Sequence, residues 1–69
     1  MKNLLSIIQL LKRFGIYVYT GNRKDDIDLM MSEVKDLYDG GLIQQDIYLK
    51  AILVLRFELA NNDLKSRYN

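Results

Sequence analysis

Only one stretch of this chain has the residue character of a β-strand, and it has nothing to pair with. Ile16-Tyr17-Val18-Tyr19-Thr20 is β-branched and aromatic, a composition that favours an extended backbone. A lone strand leaves its N–H and C=O groups without a ladder, and even an isolated two-stranded hairpin is marginal in water. The run is therefore expected to be an extended connector packed along other elements. On both sides of it the apolar residues recur at helical spacing.

Leu4, Ile7, Ile8, Leu11 and Phe14 fall on one helical face, with Ser6, Gln9 and Arg13 opposite. They predict a first helix over residues 3–14, closed by Gly15 in a left-handed conformation with Ile16 as the apolar contact beyond it. Ile27, Met30, Met31, Val34, Leu37 and Tyr38 predict a second helix over 23–38. Asn22 is its expected N-cap, Asp25 its N3 residue, and Asp39-Gly40-Gly41 its stop. Tyr48, Ala51, Ile52, Leu55 and Leu59 predict a third helix over 45–61, ended at Asn61-Asn62 and followed by a frayed tail. The reading is all-α: a compact three-helix bundle forming one domain over 1–69, with the connector between helices one and two.

The third helix carries a second apolar stripe, Leu49, Leu53, Phe57 and Ala60. A helix apolar on two sides either covers two neighbours in its own domain or touches another chain. A chain of 69 residues buries only ~60% of the surface it exposes when unfolded. Small domains offset that with disulfides, a metal, oligomerisation or dense helix packing. With no Cys and no His, dense packing and self-association are what remain.

The same absences leave catalysis poorly supplied. Ser6, Thr20, Ser32 and Ser66 have no adjacent base at useful spacing. Asp25, Asp26 and Asp28 complement the dipole at the start of the second helix, and no calcium-loop pattern is present. No catalytic residue, metal ligand or cofactor is expected, and the chain is read as a non-enzyme. Its N-terminal apolar run is interrupted by Ser6 and Gln9 and closed by Lys12-Arg13 without a small-residue cleavage site. No segment approaches the ~20 apolar residues of a membrane span. A cytoplasmic protein with no membrane partner is expected.

Charge is balanced overall, at +1, but unevenly placed. Residues 1–24 carry five cations and no acid, while residues 25–46 carry seven acids against Lys35. An acidic helix packed between basic ones explains this, and the near-zero total favours that account; a one-sided basic surface for a polyanion is the sharper one. The segment that would serve such a surface is Tyr17-Val18-Tyr19-Thr20-Gly21-Asn22-Arg23-Lys24. Arg23 and Lys24 oppose the dipole of the helix they begin. Either they are relieved locally, Arg23 by Asp26 and Lys24 by Asp28, or they meet an anion together with the helix N-terminus. Tyr17 and Tyr19 share one side of an extended run and Val18 takes the other. With Val18 in the core the phenols form a stacking platform beside cations, suited to single-stranded nucleic acid. With the tyrosines in the core there is no platform.

The order of these segments resembles the small YqgQ-like proteins of Gram-positive bacteria over nearly the whole chain. The resemblance is carried by Phe14-Gly15, the run Ile16 to Arg23, Asp26-Ile27-Asp28-Leu29-Met30, Leu37-Tyr38, Gly41-Leu42-Ile43 and Tyr48-Leu49-Lys50-Ala51 with Leu55 and Glu58. Its most specific part is the Tyr-Thr-Gly-x-Arg segment, Tyr19 to Arg23; Asn22 stands where relatives often have Asp. The resemblance implies a cytosolic three-helix domain without a settled biochemical function, for which single-stranded nucleic-acid binding has been suggested. Two readings stay open. One is a module binding single-stranded RNA or DNA through Tyr17, Tyr19, Arg23 and Lys24, with Lys12 and Arg13 as backbone contacts. The other is an interaction or homo-oligomerisation domain using Leu49, Leu53 and Phe57 against itself or another protein.

Overall fold

The chain closes two of its helices with the same left-handed glycine device, and those closures set the path between elements. The computed structural model describes residues 3–68, with side chains through Asn61. It contains three helices, α1 (Leu4–Arg13), α2 (Arg23–Asp39) and α3 (Gln45–Tyr68), and no strand among the described residues.

α1 begins where Asn3 turns extended and its side chain accepts the Ser6 N–H at 3.1 Å. It ends at Gly15, φ 74°, where the Gly15 N–H donates to the Lys12 carbonyl and the Ile16 N–H to the Leu11 carbonyl, both at 3.0 Å. This crossed pair is a Schellman closure, and it satisfies carbonyls that the helix end would otherwise leave open. α2 starts on the expected cap, the Asn22 side chain accepting the Asp25 N–H at 3.0 Å. It closes as α1 does, with Gly41 at φ 75° and the Gly41 and Leu42 N–H groups bonded to the Tyr38 and Leu37 carbonyls.

α3 runs to Tyr68 rather than stopping near Asn61. Asn costs only ~0.7 kcal/mol or less relative to Ala inside a helix, and no Gly or Pro lies between Gln45 and Tyr68 to force an end. The expected frayed tail falls on 62–69, of which the side chains and Asn69 lie outside the described residues.

The core is one apolar cluster: Ile7 and Leu11 from α1, Ile27, Met30, Val34 and Leu37 from α2, Ala51 and Leu55 from α3. Each fully buried aliphatic side chain stabilises by roughly 1.5–3 kcal/mol. No buried residue among those described is polar or charged, so the cluster carries no desolvation cost to offset. α2 and α3 form the principal hairpin, and α1 packs across both. Next to the hairpin turn the rings of Tyr38 and Tyr48 stack, centroids 4.5 Å apart and planes 5° from parallel. Such a pair is worth roughly 0.5–1.5 kcal/mol beyond its area. The solvent side of α2 carries Lys35, which donates to Asp39 at 2.8 Å; that bond, then the carboxylate's charge, raises the lysine pKa. No helix among the described residues is long and apolar enough to cross a membrane.

Candidate functional site

The α1 closure decides which way the connector's side chains face. Ile16 follows Gly15, is tied back to Leu11 by its N–H, and packs against the core. Alternation along an extended chain then turns Val18 inward as well, half-buried against the same cluster. Tyr17 and Tyr19 are left on the outside, 74% and 87% exposed.

The far end of the connector is fastened to α2. Gly21, φ 86°, makes the turn, and Asn22 caps the helix. Thr20 donates both its N–H and its hydroxyl to one carboxylate oxygen of Asp26, at 2.6 and 2.7 Å. Its hydroxyl oxygen also accepts the Asn22 N–H at 3.2 Å. The connector is therefore held at Ile16 by a helix closure, at Val18 by burial and at Thr20 by a charged acceptor.

That fastening overturns the expected pairing of Arg23 with Asp26. Two donors delivered to one carboxylate outcompete an exposed helical ion pair worth ~0.2–0.5 kcal/mol. Arg23 reaches across to Glu58 on α3 instead, at 3.8 Å. Among the described residues Lys24 forms no ion pair with Asp28; it stands exposed on the first turn of α2.

Tyr17, Tyr19 and Lys12 line one groove of about 190 Å³, floored by Ile8, Leu11, Val18 and Met30. Arg13, next to Lys12 in sequence, faces a different and larger cavity of about 530 Å³ with Phe14 and Leu42. The six candidate residues thus separate. Lys12 and the two tyrosines share a groove, Arg23 and Lys24 stand at the start of α2 beyond the Gly21 turn, and Arg13 serves another surface. Apolar floor, aromatic rim and cation suit a flat, partly anionic ligand. Exposed Asp25 and Asp28 beside Lys24 oppose one.

On α3, Leu49, Leu53 and Phe57 are 51%, 67% and 64% exposed. The bundle buries the opposite side of that helix through Ala51 and Leu55, so the second stripe is not used to cover a neighbour in the same domain. The Thr20–Asp26 clasp was missed by sequence reasoning, although a hydroxyl two residues before an N-cap and an acid four residues after it were there to suggest it.

Fold and surface together define a small three-helix domain with an aromatic connector pinned outward between its first two helices. The sequence model of the YqgQ-like family matches residues 1–61, and the chain belongs to that family. It is 41% identical over 59 residues to the uncharacterized protein YqgQ of Bacillus subtilis (strain 168), a match covering 86% of this chain and 83% of that protein.

Proposed function

We propose that the chain is a non-enzymatic binding module of the cytoplasm whose connector face takes single-stranded nucleic acid. The observation carrying this reading is the outward display of Tyr17 and Tyr19 over a groove shared with Lys12. Bases stack on the phenols, each stacked base contributing ~1–3 kcal/mol, and the apolar floor excludes water beneath them. Lys12 meets the phosphate backbone on one side, and Lys24 with Arg23 on the other. Arg23 has only a long contact to Glu58 to give up. Stacking tolerates any base, so the expected preference is for single strands over duplex rather than for a sequence.

The test is a fluorescently labelled 12-nucleotide single strand titrated at low salt. Three phosphate contacts give a log–log salt slope of about −2. The double variant Tyr19→Ala, Arg23→Ala abolishes binding while the helical circular dichroism stays intact. Absence of binding at low salt, or equal affinity for duplex, overturns the reading.

A further inference from the structure

The outer side of α3 is a second surface, and its borders carry a charge pattern. At 3.6 residues per turn, Leu49, Ala60, Leu53 and Phe57 occupy about 80° of the helix circumference, and all four are exposed. Arg56 borders the stripe on one side and Lys50 on the other, both exposed. Glu58 lies toward the bundle and is engaged with Arg23, and Asp46 stands at the N-terminal end of the face. The stretch from Leu49 to Phe57 is about 12 Å long, room for three anchors of a helix laid alongside.

We propose that this stripe docks an amphipathic helix of another protein, one whose apolar residues are bordered by acidic side chains. The borders select among occupants. A second copy of this chain would bring Lys50 and Arg56 against the same cations of its partner, with no exposed acid along the middle of the stripe to relieve them. An anionic lipid surface would gain only these two cations from the stripe, with the exposed Asp46 at its end opposing it. A single helix laid along α3 touches the stripe and its two basic borders. Leu49, Leu53 and Phe57 supply the buried anchors, and glutamates on the partner pair with the two basic borders, where several individually modest exposed pairs add up.

The proposal is independent of the connector face and is tested without it. The probe is a synthetic 18-residue helix with leucines at i, i+4 and i+8 and glutamates on both borders, titrated into the isotope-labelled full chain and followed by amide chemical shifts. The expected result is saturable shifts along residues 49–60. Exchanging the glutamates for lysines weakens binding roughly tenfold, and the charge reversal Lys50→Glu, Arg56→Glu inverts that preference. Phe57→Glu, at an exposed position, removes binding while the spectrum stays folded. The proposal is overturned by no saturable shift at millimolar probe or by equal affinity for the two peptides. It is also overturned by a concentration-dependent dimer that Phe57→Glu dissociates, or by shifts at 49–60 produced by phosphatidylglycerol vesicles but not by the acidic peptide.

Discussion

α1 and α2 close with the same crossed hydrogen bonds and the same left-handed glycine, yet the chain behaves differently after each. Beyond Gly41 it turns within a few residues into α3, with Leu42 left on the surface and the Tyr38–Tyr48 stack beside the turn. Beyond Gly15 it stays extended for five residues and displays two tyrosines. The closures themselves do not make the difference; the residues beyond them do. After Gly41 a short polar stretch, Gln44 to Asp46, admits the next helix at once. After Gly15 a β-branched run resists helix and is tied down at its far end by Asp26. One junction is a turn, the other a fastened arm.

The largest expected effect breaks that fastening. Asp26→Ala removes two charge-assisted bonds to Thr20 and a favourable carboxylate in the first turn of α2, together costing about 2 kcal/mol. Denaturant unfolding measures the loss, and hydrogen exchange should accelerate at residues 16–22 while the 40–44 turn is unchanged. Asp26→Asn, which keeps an acceptor, should fall between. Unchanged exchange in the connector would mean that Ile16 and Val18 hold it without the clasp and that the two junctions differ less than they look.

How far the sequence reveals this architecture depends on whether the deciding interaction is local. The Asn22 cap, the Gly15 closure and the spacing of Ile27, Met30 and Val34 are all set within a few residues, and each was readable from them. The facing of the connector stayed open between two arrangements in the sequence, and the structure decides it in two steps. The closure places Ile16 inward, and alternation carries that parity to Val18; apolar character by itself does not separate Val18 from Tyr17 and Tyr19. Arg23 was not legible, because its partner Glu58 comes from another helix and its near neighbour Asp26 is taken by Thr20. The end of α3 was misplaced because paired asparagines permit a stop without compelling one.

A smaller effect tests whether the closures are equivalent. An alanine Cβ at Gly15 or at Gly41 would meet no atom within 4 Å, so the cost at either site is that of the left-handed backbone alone. Gly15→Ala and Gly41→Ala should each lose about 1 kcal/mol, equal within error in paired unfolding curves. A markedly larger loss at Gly15 would show that the arm depends on its closure in a way the turn does not, since a misplaced Ile16 would carry Val18 with it.

The smallest expected effect separates the two sides of the arm. Val18→Ala deletes methyl groups half-buried on the core and should cost about 0.8 kcal/mol. Tyr17→Ala and Tyr19→Ala, at largely exposed positions, should each stay within about 0.5 kcal/mol of the parent. Near-neutral tyrosines beside a costly valine would mean that their aromatic area contributes little to folding and is free to cover a ligand. Tyrosine losses as large as that of Val18 would place the phenols in packing, closing the groove at Lys12 and removing the stacking surface on which nucleic-acid binding depends.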